Sequence, residues 1–208
     1  LQWESMYSRN FWGVADVCSD DAEKGGSDLL ASYESDQSEM HALCTYNANP
    51  LNEYLGSMWS GYYIGISRAN SLISQTKESI LTKDSVIFKR LRAEARFLRA
   101  FFYFDLVRVW GPVPLISENV SIEDSKNIGN RAEGDDAVGT KQMRKIYDFI
   151  ISELDAIQND LPWGYSSENA GRVTASAAKA LLAKVYLYRA DVFDVSEDYE
   201  NAFTVANN

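Results

Sequence analysis

Few residues of this chain could do covalent chemistry, and their spacing argues against most of it. His41 is the sole histidine, and it stands in a polar segment with no serine- or cysteine-based nucleophile motif around it. Asp20-Asp21 and Asp135-Asp136 are adjacent acids in turn-rich sequence, the usual setting of solvated charge, although composition alone does not exclude a glycosidase pair. Asp16, Asp20, Asp21 and Glu23 offer oxygen ligands to calcium but not in the order of an EF-hand loop. Cys18 and Cys44 lack metal-ligand spacing, leaving two unpaired thiols or one bridge as the open alternatives. No zincin, nucleophile-elbow or phosphate-loop pattern is present. These residues predict a protein that is not an enzyme, with no cofactor and no metal.

Binding chemistry fares better. A net charge of −10 disfavours nucleic acid, whose phosphates need clustered Lys and Arg, and disfavours an electrostatic hold on anionic lipid. Neutral ligands remain, sugars foremost among them. A pyranose needs an exposed aromatic ring for its apolar face and amide or carboxylate groups for its hydroxyls. Aromatics in irregular sequence are therefore the candidates: Tyr33, Tyr46, and later Trp163 with Tyr165. The segment TYNANP (45–50) sets Tyr46 beside Asn47 and Asn49 at a proline turn, so Tyr33, Tyr46, Asn47 and Asn49 form the predicted glycan site. Two roles are open to Tyr46, stacking on a sugar or pinning its loop to the helices.

The elements that must carry such loops are helical. Leu55, Trp59, Tyr62, Ile66 and Ile73 fall on one stripe, with Ala69 and Leu72 beside it. Ile87, Leu91, Ala95, Leu98, Phe102, Leu106 and Val109 keep the period of a long second helix. Phe97, Phe101 and Phe104 make that helix apolar on two faces near its end, as for a helix lying between others. Arg90 with Glu94, and Asp105 with Arg108, are spaced to pair along it. Gly111 is placed to end it in a left-handed conformation, before Pro112 and Pro114. A third helix runs from Met143 to Leu161, stopped by Pro162. Thr174 caps a fourth, and Ser196 precedes a fifth. Residues 18–50, 117–140 and 162–172 read as long polar connections.

In the first helix, Gly61 and Gly65 permit close helix contact, and Asn70 falls on the apolar face, where burial would oblige it to find hydrogen-bond partners. Leu182, Ala183, Tyr186, Tyr199, Ala202 and Ala206 echo the tetratricopeptide hairpin, given a seven-residue insertion at its turn. The fold class is all-α: stacked tetratricopeptide-like helix hairpins with long irregular loops. No apolar run is long enough to span a membrane.

Four segments, in order, resemble the SusD/RagB family of outer-membrane glycan-binding lipoproteins. In RAEARFLRAFFYFDLVRVWGPVPLI (92–116) the matching positions are Glu94, Arg99-Ala100, Phe101 to Phe104, Gly111 and Pro114. WSGYYIGISRANSLI (59–73), IYDFIISELDAIQNDLP (146–162) and GRVTASAAKALLAKVYLY (171–188) supply the others, and SDDAEKGG (19–26) matches more loosely. Pro112 departs from the polar residue often found there. The resemblance implies a non-catalytic cell-surface protein that captures oligosaccharide or polysaccharide and delivers it to a partner TonB-dependent outer-membrane transporter of the SusC type. It implies membrane association through a lipid anchor that this sequence does not contain, on the outer face of the outer membrane. Family members are longer, so residues 1–208 would be a single SusD-like N-terminal helical region, the first part of a longer chain. The chain starts without an initiator Met or a leader, and YENAFTVANN ends inside a helical pattern, which fits that expectation. The competing reading is a tetratricopeptide-like scaffold that binds a protein or peptide partner.

Overall fold

The computed structural model describes residues 4–7, 9–25, 37–76, 85–120 and 136–207. In chain order the helices are α1 (Glu4–Tyr7), α2 (Arg9–Ala15), α3 (Ser38–Cys44), α4 (Glu53–Gln75), α5 (Ser85–Trp110), α6 (Asp136–Ile157), α7 (Ala175–Phe193) and α8 (Glu197–Asn207), with a 3-10 turn at Ser167–Asn169. No strand occurs among the described residues. The all-α class is as the periodicity predicts, and no helix among these residues is long and apolar enough to cross a membrane.

Two compact units divide the chain, Leu1–Ile64 and Gly65–Asn208, with the boundary inside α4. In the first unit Val17, Met40, Leu43 and Tyr54 form a buried cluster, bordered by Val14, Cys18, Cys44 and Leu55. Helix α3 lies within sequence that reads as a loop. Its short length leaves room for two buried apolar positions, Met40 and Leu43, too few to show a period. The buried seam of α4 is Tyr54, Met58, Tyr62, Ile66 and Ala69. This seam starts one residue before the predicted stripe, so Leu55 and Trp59 are half-buried at its margin.

The second unit is a stack in which α5 packs on α6, α6 on α7 and α7 on α8. Neighbours run antiparallel. Arg99 pairs with Glu153 while Tyr103 meets Phe149, and Asp148 pairs with Arg189 while Tyr147 meets Phe193. Helix α5 is buried all round near its end, with Phe102, Tyr103, Phe104, Asp105, Leu106 and Val107 in unbroken succession. That is the packing of a central helix, as its two apolar faces predict. Gly65 of α4 sits against it so closely that a Cβ there would stand 2.5 Å from Phe102 Cε2.

Gly111 ends α5 at φ 70°, donating its N–H to Val107 O at 3.0 Å. Helix α6 begins at Asp136, earlier than the apolar period shows, because its first turns are mostly exposed. It ends at Ile157, five residues before Pro162. A turn closed by Asp160 N–H on Ile157 O stops it, so proline is not the terminator. Thr174 caps α7 by accepting the Ala177 N–H at 3.2 Å. Ala175 and Ala178 are buried on α7, where small side chains let flanking helices approach. The α7–α8 connection is only residues 194–196, so the extra residues relative to the tetratricopeptide spacing lengthen α7 and do not enlarge the turn.

Candidate functional site

The predicted glycan segment leaves the C-terminus of α3. Thr45 closes the helix, its N–H and hydroxyl both donating to His41 O at 3.0 and 2.9 Å. Tyr46 N–H then donates to Leu43 O (3.1 Å) and Asn47 N–H to Ala42 O (2.8 Å). These two bonds form the Schellman pattern, whose left-handed residue is usually glycine. Here it is Tyr46, at φ 54° and 73% exposed. A non-glycine residue in this region carries strain of about 1–3 kcal/mol, and such strain concentrates at functional sites. The ring is thereby thrust into solvent on a backbone that hydrogen bonds hold still.

The rest of the segment is equally fixed. Asn49 Oδ1 accepts the Leu51 N–H at 2.8 Å, so this side chain braces its own turn and keeps its amide nitrogen for any ligand. Asn47 is exposed beside Tyr46. Asn52, which sequence reasoning passed over, is the anchor. It is 1% exposed, its Nδ2 donates to Glu39 O at 2.9 Å, and its Oδ1 accepts from Tyr54 and Leu55 N–H at 3.1 and 3.3 Å. One side chain thus caps α4 and ties it to α3. The signal was an asparagine directly before the first periodic residues, an N-cap position. Tyr33 lies outside the described residues.

The other loop aromatics separate into two roles. Tyr165 is structural: its hydroxyl lies 3.2 Å from Glu94 Oε1 and 3.0 Å from Val173 O. Burial, with Glu94 adding to it, pushes that phenol above its ordinary pKa. Trp163 is exposed, with the Lys179 ammonium 4.8 Å over its ring.

The charged residues of the aromatic stretch serve the scaffold. Arg99 Nε donates to Glu153 Oε2 at 2.9 Å, and Arg96 reaches Glu153 Oε1 at 2.8 and 3.0 Å. Arg99 Nη1 donates to Asn70 Oδ1 (2.6 Å) and to Ser117 O (2.7 Å). Asn70, buried as its position on α4 predicts, donates from Nδ2 to Ile116 O (3.1 Å) and Glu118 O (3.0 Å). Tyr103 accepts the Ile116 N–H at 2.6 Å, and burial raises its phenol to about 12. The irregular chain after Gly111 is therefore held by side chains of α4 and α5, which supply the backbone partners that a strand would otherwise give.

The expected Arg90–Glu94 pair is present at 3.7 Å, but the shorter bonds of Glu94 go to Arg172 Nε and Nη2 at 2.9 and 2.6 Å. Arg108 pairs with Asp105, as the spacing predicts. Cys18 and Cys44 are free thiols. Among the described residues no group of three or more His, Cys, Asp or Glu is arranged to hold a metal ion.

A stack of antiparallel helices with buried ionic cross-links defines a tetratricopeptide-like helical scaffold. The chain belongs to the SusD-like family described as "Starch-binding associating with outer membrane", whose model matches residues 7–187. A SusD-like protein of Bacteroides ovatus is 35% identical over 146 residues, a match covering 70% of this chain and 24% of that protein. Surface glycan-binding protein A from Bacteroides uniformis superposes with a TM-score of 0.71 at 27% identity, over 94% of this chain and 38% of that one. A laminarin-binding SusD-like protein gives the same score and identity over 98% of this chain and 39% of its own. The chain thus spans about a quarter of the first relative and under two-fifths of the structural neighbours. The family's description names starch binding and association with the outer membrane, and both structural neighbours are named for binding glycan.

Proposed function

We propose that this chain is the N-terminal helical region of a non-catalytic, lipid-anchored protein on the outer face of the outer membrane. It captures an oligosaccharide or polysaccharide and delivers it to a TonB-dependent transporter of the SusC type. Family membership supports carbohydrate capture. The observation that carries the site is Tyr46, an exposed ring held in a left-handed backbone conformation beside Asn47. Stacking on a pyranose, with hydrogen bonds from Asn47 and from the amide nitrogen of Asn49, is the chemistry this turn offers.

Affinity electrophoresis of the intact protein through gels containing starch, laminarin or no polysaccharide tests the reading. Retardation by at least one polysaccharide is expected, with no new reducing ends released on prolonged incubation. Equal mobility in all gels would contradict glycan capture, and released ends would contradict the non-catalytic part. Co-purification of the intact protein with an outer-membrane transporter after detergent extraction tests delivery. Its absence at native expression removes the transporter from the proposal.

A further inference from the structure

The chain holds two cysteines in 208 residues, and the fold sets both at the border of one small cluster, around Val17, Met40, Leu43 and Tyr54. Cys18 follows α2, and Cys44 is the last residue of α3. Cys18 Sγ lies 3.4 Å from Leu43 O, the carbonyl of the peptide that leads directly into Cys44. Both side chains are half-buried. We propose that Cys18 and Cys44 form an intramolecular disulfide when the protein meets an external disulfide, locking the end of α3 to the chain that leaves α2.

The geometry puts the two cysteines close to one another. Cys18 Sγ meets the Leu43 carbonyl, and from Leu43 C the covalent path to Cys44 Cα is two bonds. Burial pushes the Cys18 thiol above its ordinary pKa, and Cys44 is near enough for its charge to add to that shift. A raised thiol attacks slowly when alone. Within a pair, however, the second step is intramolecular.

The exchange balances as follows. One cysteine thiolate attacks the external disulfide, forming a mixed disulfide and expelling one thiolate, which takes up the proton lost from the protein. The second cysteine thiolate attacks the protein sulfur of that mixed disulfide and expels the second external thiolate, which takes up the proton lost from that cysteine. Two protein thiols are oxidised to one disulfide, and one external disulfide is reduced to two thiols. The bond would tie down the residue two positions before Tyr46, restraining the unfolded chain across the intervening loop. The proposal concerns the cysteines alone and holds whether or not Tyr46 touches a glycan.

Reduced intact protein is exposed to a mixture of reduced and oxidised glutathione, quenched in acid, alkylated under denaturing conditions and weighed. The expected product has lost both alkylatable thiols, carries no glutathione and yields one peptide pair joining Cys18 to Cys44. Cys18→Ser and Cys44→Ser variants should each stop at one retained glutathione adduct, because the resolving thiol is gone. Two free thiols, two glutathione adducts or a disulfide-linked dimer in the wild type would each overturn the proposal. Since quench and alkylation are done on denatured chains, a poorly folded variant still reports, and the wild-type product alone decides.

Discussion

Arg172 Nη2 stands 2.6 Å from Glu94 Oε2, joining residues 78 apart in sequence. Both belong to segments that carry the family resemblance, so part of the signature is a scaffold contact between α5 and the entry to α7. The pair is partly exposed, at 33% and 14% for the two side chains. Arg172→Ala is therefore expected to cost only about 1 kcal/mol, read as a small fall in the urea midpoint. A loss several times larger would place this ion pair among the determinants of the core.

Glu153 should behave differently. It receives both Arg96 and Arg99, and the Arg99 and Glu153 side chains are almost entirely buried. Removing the carboxylate in Glu153→Ala leaves an uncompensated buried guanidinium, at a cost of about 3–5 kcal/mol. Chemical denaturation checks it. A midpoint shift no larger than that of Arg172→Ala would show that water or another acid satisfies Arg99.

Close packing at Gly65 gives the next expectation. A methyl group there would meet the Phe102 ring at a distance no carbon pair tolerates, so Gly65→Ala should destabilise by about 1–3 kcal/mol. Phe102→Ala should cost about 3–5 kcal/mol. The double variant should recover part of the overpacking loss, because the clash partner is gone. Strict additivity of the two single losses would show that the α4–α5 approach is looser than described.

Asp198 sets an acid limit on the α7–α8 hairpin. Burial pushes its carboxyl up, but hydrogen bonds from Arg189 and Asn201, with the Arg189 charge, outweigh burial and bring the pKa below the ordinary value. The folded state thus binds the proton less readily than the unfolded state. The stabilisation is present above the ordinary carboxylate pKa of about 4 and is lost as pH falls through the folded value. Thermal midpoints followed downward from pH 5 should fall less steeply in Asp198→Asn than in the wild type. Equal slopes would assign the acid loss to other carboxylates.

How much of this was legible depended on whether a residue acts through its period or through a distant partner. The long helices, Gly111 at the end of α5, the Thr174 cap and the burial of Asn70 follow from spacing and local preference. Helix α3 leaves no trace in the periodicity because two buried apolar residues make no pattern. The apolar period runs past the end of α6 because Leu161, although buried, belongs to the turn beyond the helix. The pairing of Glu94 with Arg172, and of Arg99 with Glu153, depends on tertiary approach, which no local rule supplies. Within the candidate site, Tyr46 and its asparagines were readable as an aromatic in turn-forming sequence. The left-handed backbone at Tyr46 was not, since glycine is the expected residue there.

Tyr46→Gly tests the central claim most directly, because stacking and anchoring predict opposite signs for stability. Glycine relieves the left-handed strain while keeping the cap hydrogen bonds, so the variant should be more stable by about 1 kcal/mol. If the ring stacks on sugar, calorimetric titration with the polysaccharide most retained in the gels should show affinity reduced by about 1 kcal/mol or more. The account predicts a raised melting temperature together with weakened glycan binding. A melting temperature and an affinity that fall together, or an affinity equal to wild type, would contradict it and remove Tyr46 from the site.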